Sequence, residues 1–258
     1  PFSLTHDQYV TGSRDMVWLL DRFEGRSIDL RDGIRFLASE DQRTKTVPNY
    51  MGRIEHLPAK NFHIPADSLK VLQNGMVSER YAHLIDSMMH ITINKEMILK
   101  NELMVLDLLA NNNWNRPVYY AVTVGGDNYV GLDDYFQLEG FGYQVVPIAS
   151  RDDSGMPGRV DTEKMYDNVM NKFIFTGWND PNVYLDDNHI RMATNIRSNL
   201  GRLANALVQE GQNEKALEVL DKTMEVLPAS RVPHSYFSRY LAEAYYKAGA
   251  MEKGDQIM

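Results

Sequence analysis

Apolar residues recur at helical spacing through the C-terminal part of the chain. The first group of these positions includes a glycine turn and a proline stop, and it consists of Leu203, Ala204, Leu207, Gly211, Ala216, Leu220 and Pro228. The second group repeats the order at Leu241, Ala242, Tyr245 and Gly249. Apolar residues three and four positions apart lie on one face of a helix. The pattern therefore predicts two helical hairpins, at about 190–228 and 235–258.

The order of small, apolar and turn residues in these hairpins is typical of the tetratricopeptide repeat. A single repeat cannot bury its apolar face alone, so we expect neighbouring elements to stack on it. The second hairpin stops at Met258, inside its second helix. The chain begins at Pro1, with neither an initiator methionine nor a signal-peptide pattern. We therefore expect the chain to be a piece of a longer protein.

The N-terminal part of the chain alternates between shorter helix and strand patterns. Leu30, Ile34 and Leu37 are spaced for a helix that Asp29 caps. Strands are expected at 61–64, 89–94, 116–124 and 143–148, and helices at 101–110 and 132–138. Asn101 is expected to cap the helix that it begins, and 116–124 to be a buried strand. This order predicts a sheet, at least partly parallel, with helices packed on it.

These patterns together predict an α+β fold with two domains. Residues 1–155 are expected to form a domain with a mixed sheet and flanking helices. Residues 156–258 are expected to form an all-α domain of tetratricopeptide-like hairpins. The boundary is placed in the segment 151–159, whose glycine, proline and aspartate residues favour an exposed loop.

Composition excludes several classes of function. The chain has 258 residues, a net charge of −8 and no cysteine. An acidic chain with scattered basic residues is not expected to bind nucleic acid, and the absence of cysteine excludes disulfides and thiolate chemistry. No apolar run approaches the roughly 20 residues of a membrane span. The sequence predicts neither a cofactor nor a metal centre.

Two motifs resemble ligand sites but have simpler interpretations. Carboxylates and an imidazole in the segment 186–189 are ligand types for a hard cation, yet the same residues are favoured at a helix N-terminus. Gly125 and Gly126 follow a predicted strand, where a phosphate-binding turn lies in dinucleotide folds. No complete glycine motif accompanies them, so a helix cap and a plain turn are the favoured interpretations.

Carboxylates and tyrosines in the middle of the chain are compatible with sugar chemistry. Asp133, Asp134 and Glu139 are of the residue type that glycoside hydrolysis requires in pairs. Asp133 and Asp134 also suit the opening of a short helix, where the dipole favours negative charge. Tyrosine rings can stack on sugars, but a strand rich in tyrosine is more often part of the core.

The chain resembles the soluble C-terminal region of large bacterial membrane proteins that are similar to protein O-mannosyltransferases. The segments that carry the resemblance are 113–121, 131–135, 139–143, 145–147, 189–192 and 195–197. Among them, the segment 113–121 reads Asn-Trp-Asn-Arg-Pro-Val-Tyr-Tyr-Ala. The resemblance implies a multi-span N-terminal membrane unit that uses a lipid-linked sugar donor. The acidic catalytic residue of that fold class lies in the membrane unit, so none is carried over to this chain.

From this resemblance we expect the chain to be a non-catalytic, extracytoplasmic accessory domain of a membrane glycosyltransferase. Its expected partners are its own N-terminal membrane domain and a protein or glycan acceptor. The residues expected to contact a ligand or partner are Trp114, Arg116, Tyr119, Tyr129, Asp133, Asp134, Tyr135, His189 and Arg191.

Two other hypotheses remain open. One is a stand-alone tetratricopeptide-type interaction scaffold with no glycosyl role, for which a cytoplasmic location is the alternative. The other is a free-standing sugar hydrolase that uses Asp133, Asp134 and Glu139.

Overall fold

The computed structural model describes residues 2–10, 12, 14–48, 50–150 and 155–258. The chain divides into two compact units. The first comprises Pro1–Tyr119, Val124–Phe136 and Val145–Gly158, and the second comprises Tyr120–Thr123, Gln137–Gln144 and Arg159–Met258. Residues 120–123 and 137–144, which the sequence analysis assigned to the N-terminal domain, thus belong to the second unit. The boundary near residue 155 stays a prediction.

The first unit contains two three-stranded sheets with helices packed on them. Its strands are β1 (Met16–Leu19), β2 (Ile28–Asp29), β3 (His56–Leu57), β4 (Asn61–Pro65), β5 (Met88–Thr92) and β6 (Met97–Leu99). Its helices are α1 (His6–Val10), α2 (Leu30–Ala38), α3 (Gln42–Lys45), α4 (Ser68–Gln73) and α5 (Lys100–Asn112). The strand orders are β3-β1-β6 and β2-β4-β5, and each sheet combines a parallel with an antiparallel pair. The mixed sheets confirm the predicted α+β class.

The core of the first unit forms where α2 lies against β4 and α5. Ile34 and Leu37 of α2 and Phe62 of β4 are fully buried. Gly33 permits the close approach, because a Cβ atom at this position would lie 2.7 Å from the Phe62 ring. As predicted, Asp29 caps α2, and its carboxylate accepts a hydrogen bond from the backbone N–H of Arg31.

The remaining elements lie mainly in the second unit. Its strands are β7 (Tyr119–Ala121), β8 (Phe136–Leu138), β9 (Gly142–Val145) and β10 (Arg159–Val160), in the order β10-β8-β9-β7. Its helices are α6 (Thr162–Asp167), α7 (Asp187–Gln209), α8 (Asn213–Val226), α9 (Arg239–Lys247) and α10 (Met251–Asp255). Helix α7 packs against α8 and α9 through leucines that are almost fully buried. The predicted helical C-terminal region is confirmed, whereas its tetratricopeptide type stays a prediction.

Three sequence expectations are wrong in detail. Residues 132–138 form a single 3₁₀ turn followed by β8, because Phe136, Gln137 and Leu138 are all buried in the middle of a sheet. The run 116–124 contains only the three-residue edge strand β7, which is exposed, buried and exposed in turn. Helix α5 has Leu99 rather than Asn101 as its N-cap, since the Glu102 carboxylate accepts the Leu99 N–H.

Two further features bear on the predicted organisation. Of the predicted loop 151–159, residues 151–154 lie outside the described residues, and the following segment up to Gly158 is irregular. Among the described residues, no helix is long and apolar enough to cross a membrane.

Asp29→Ala is expected to lower the free energy of unfolding by about 1 kcal/mol, because the N-cap hydrogen bond of α2 is lost. Asp32 lies in the first turn of the same helix and forms an exposed ion pair with Arg35, so Asp32→Ala is the matched control, with a loss of about 0.3 kcal/mol. Urea denaturation of both variants measures the difference. Equal losses would contradict the assignment of the cap.

Candidate functional site

A pocket of about 410 Å³ lies in the first unit and combines carboxylates, an aromatic ring and exposed backbone. It is lined by Gly126, Tyr129, Asp133, Asp134, Ser150, Gly155, Met156, Pro157 and Gly158. Its volume falls within the range of about 300–1,000 Å³ that is usual for small-molecule sites. Three of the nine predicted contact residues, Tyr129, Asp133 and Asp134, are therefore brought together at one place.

The backbone beside Tyr129 is held in a strained conformation. Val130 has a φ of 50° and Gly131 has a φ of 78°, so two successive residues are left-handed. This conformation costs a β-branched residue about 1–3 kcal/mol and persists only where the surroundings enforce it. Val130 is buried, and Gly131 lies so close to β5 that an added Cβ atom would be 2.4 Å from the carbonyl oxygen of Thr92. The strand thus enforces the turn that leads into the pocket.

Two tyrosines flank the acidic turn and fix its position. The Tyr129 hydroxyl donates to the carbonyl oxygen of Val124 at 2.9 Å, and its ring packs edge-on against Phe136. The Tyr135 hydroxyl accepts the backbone N–H of His90 at 2.8 Å. Burial raises the pKa of Tyr135, which keeps its phenol neutral at physiological pH. Asp133 and Asp134 are therefore presented from a turn that is anchored on both sides.

The chemistry of the pocket suits a ligand that carries hydroxyl groups. Asp133 is exposed and Asp134 is half-buried, and both line the pocket with carboxylates, which are hydrogen-bond acceptors. The Ser150 hydroxyl oxygen is buried and finds no hydrogen-bond partner among the described residues. Met156 and Pro157 add apolar surface for the non-polar face of the same ligand.

The other predicted residues of the first unit lie outside the pocket lining. Trp114 is 5% exposed, and its indole N–H donates to the carbonyl oxygen of Pro65 at 2.8 Å, which gives it a role in the core. Arg116 is exposed, and its backbone N–H donates to the Asn112 side chain. Tyr119 is half-exposed on the edge strand β7.

His189 and Arg191 belong to the second unit, at the beginning of α7. Asp186 is the N-cap of this helix, and it accepts hydrogen bonds from the backbone N–H and the imidazole of His189 at 2.9 and 2.6 Å. These two bonds lower the pKa of Asp186. Arg191 bonds to Asn188 one turn earlier. The favoured interpretation of the segment as a helix cap is confirmed.

Within the described part of the chain, no group of three or more histidine, aspartate or glutamate side chains is arranged to hold a metal ion.

Glu139, the third carboxylate of the hydrolase hypothesis, lies in the second unit and is buried. It pairs with Lys164 at 3.0 Å and accepts a hydrogen bond from Gln137 at 2.7 Å. Its contacts are those of a structural ion pair.

Sequence reasoning missed Ser150 and the backbone segment 155–158 as lining residues. The glycines and the proline of that segment were the only sequence feature that pointed to it, and they indicated an exposed loop rather than the wall of a pocket. Gly126 was identified as part of a plain turn, and the structure places this turn at the mouth of the pocket.

Comparison with known families gives a match over the N-terminal part of the chain. The model of the family described as TMEM260-associated domain 2 matches residues 1–164. No curated protein and no solved structure matches the chain. The match covers more than half of the chain and includes every residue that lines the pocket. The bacterial source that the resemblance implied stays a prediction.

Gly131→Ala is expected to destabilise the chain more than Gly75→Ala does. Both glycines are left-handed, but only Gly131 lies against backbone, since nothing lies within 4 Å of a Cβ atom at position 75. We expect a loss of about 1–2 kcal/mol for Gly75→Ala from backbone strain, and about 1–3 kcal/mol more for Gly131→Ala from overpacking. Denaturant unfolding of the two variants measures this difference. Losses of equal size would show that the contact with β5 does not constrain the turn.

Proposed function

Because the chain belongs to the family of TMEM260-associated domain 2, we propose that it is a non-catalytic accessory domain of a membrane glycosyltransferase of the mannosyltransferase-like type. The family match over residues 1–164 is the observation that carries this proposal. It agrees with the resemblance found in the segments between residues 113 and 147, and it ties the chain to a membrane-protein family.

The pocket of the first unit supports a role in positioning the acceptor. Its carboxylates, its tyrosine ring and its apolar wall form a surface that suits hydroxyl-bearing side chains or glycans. The turn that presents Asp133 and Asp134 is anchored to β5, so the pocket loses little conformational entropy when it binds. Such a domain would raise the local concentration of the acceptor near a catalytic unit elsewhere in the protein. We place it on the extracytoplasmic face, where lipid-linked sugar donors are used.

A second function, peptide binding by the helical region, rests on a different observation. Tyr236 is 68% exposed and Met251 is 65% exposed in the segment 236–251. Exposed aromatic and methionine side chains are common at protein-binding surfaces. This scaffold function does not involve sugar transfer, so an assay of sugar transfer distinguishes it from the accessory role.

The proposal is tested in the full membrane protein by measuring sugar transfer from a lipid-linked donor to a protein acceptor. We expect the Asp133→Asn/Asp134→Asn variant to raise the KM for the acceptor by about ten-fold with little change in kcat, because uniform binding is lost. The matched control is Asp15→Asn/Asp32→Asn, which removes two exposed carboxylates outside the pocket lining.

Deletion of the whole chain is expected to reduce transfer to the protein acceptor, while transfer of the sugar from the lipid-linked donor to water continues. Sugar transfer by the chain alone would contradict the non-catalytic role. Unchanged kinetics in both the pocket variant and the deletion would contradict the accessory role.

A further inference from the structure

Two histidines face each other on the solvent-exposed side of the sheet β2-β4-β5. His63 of β4 is the direct cross-strand partner of His90 of β5 in the antiparallel register. The neighbouring residues Phe62 and Ile91 are buried on the opposite face, whereas His63 is half-buried and His90 is exposed. Both imidazoles therefore project from the same face into solvent.

The register places this pair at a non-hydrogen-bonded position of the antiparallel ladder. The backbone N–H of Ile93 donates to the carbonyl oxygen of Lys60, which makes these two residues a hydrogen-bonded pair. Such pairs alternate with non-hydrogen-bonded pairs, so His63 and His90 form one of the latter, in which side chains lie closest. The N–H of His90 agrees with this assignment, because it donates outward to Tyr135 rather than to β4.

The geometry of the rings suits shared coordination of one ion. The ring centroids are 6.2 Å apart. Two imidazoles on a tetrahedral ion with metal–nitrogen bonds of about 2.0–2.1 Å have centroids roughly 5 Å apart. The observed separation exceeds the coordinated one by about 1 Å, a distance on the scale of side-chain rotation.

Neighbouring groups prepare the pair for a cation. The Ser27 hydroxyl lies 3.0 Å from Nδ1 of His63, where its oxygen can accept a hydrogen bond from Nδ1–H in the tautomer that leaves the Nε2 lone pair free. Thr92 and Asn61, the adjacent cross-strand pair on this face, are uncharged and hydrogen-bonded to each other at 2.9 Å. Asp29, which pairs with His63 from β2, is already engaged as the N-cap of α2.

We propose that His63 and His90 form a binding site for a divalent transition-metal ion that prefers imidazole nitrogen, such as Zn²⁺ or Cu²⁺. The two imidazoles supply the protein ligands and water completes the coordination. This arrangement is compatible with the absence of a three-residue cluster among the described residues. A bound ion would cross-link β4 and β5 and stabilise the edge of the sheet to which the pocket is anchored.

Isothermal titration of the chain with ZnCl₂ tests the site. We expect one ion to bind per chain, with affinity reduced at least ten-fold in His63→Ala and in His90→Ala, and about ten-fold in Ser27→Ala. His6→Ala is the matched control, because His6 is exposed and lies in α1, away from this sheet. Saturating Zn²⁺ should raise the Tm of the wild type and of His6→Ala but not of the two ligand variants.

NMR on the wild-type chain keeps the test independent of the folding of any variant. Substoichiometric Cu²⁺ should broaden the ring resonances of His63 and His90 before those of the other histidines. Absence of zinc binding, binding that is unchanged in the His63→Ala/His90→Ala variant, or broadening that begins at other histidines would each overturn the proposal.

Discussion

The outer edge of β5 is the constraint on which the first unit's site depends. In the sheet β2-β4-β5 this strand is an edge, and an unpaired edge leaves backbone groups without partners. The Tyr135 hydroxyl accepts the N–H of His90, and Gly131 lies against the carbonyl of Thr92. The edge is thus covered by a turn instead of another strand. Because the turn carries Asp133 and Asp134, the protection of the edge and the position of the acidic pair have the same physical origin.

The energetic balance of this turn explains its strained backbone. The left-handed conformation of Val130 costs free energy, which burial of its side chain offsets. Strained segments that persist beside a pocket are typical of binding sites, and here the strain, the pocket and the family match fall within the same part of the chain.

Local signals in the sequence predicted those features that depend on neighbours along the chain. Asp29 was identified as an N-cap and the segment 186–189 as a helix cap, and the structure shows Asp29 and Asp186 as the N-caps of α2 and α7. The helical C-terminal region followed from its apolar spacing. These elements are set by hydrogen bonds and burial within a few residues.

Features that depend on distant parts of the chain were not predicted. Phe136–Leu138 has no alternation because both faces of β8 are buried, and a short apolar run of this kind does not distinguish strand from helix. His63 and His90 lie opposite each other only because of the register between β4 and β5. Ser150 lines the pocket together with residues 126–134, which are distant from it along the chain. Of the predicted contact residues, Tyr129, Asp133 and Asp134 line the pocket and Trp114 lies in the core, while ligand contact by any of them stays a prediction.

We expect this chain to bind an acceptor through the anchored acidic pocket. An NMR titration of the isotope-labelled chain with the acceptor protein of the membrane glycosyltransferase that we propose as its parent tests this binding most directly. Chemical-shift changes should be concentrated at residues 126–134 and 155–158, and they should be lost in the Asp133→Asn/Asp134→Asn variant. Changes confined to residues 187–255, or changes that persist in that variant, would contradict it.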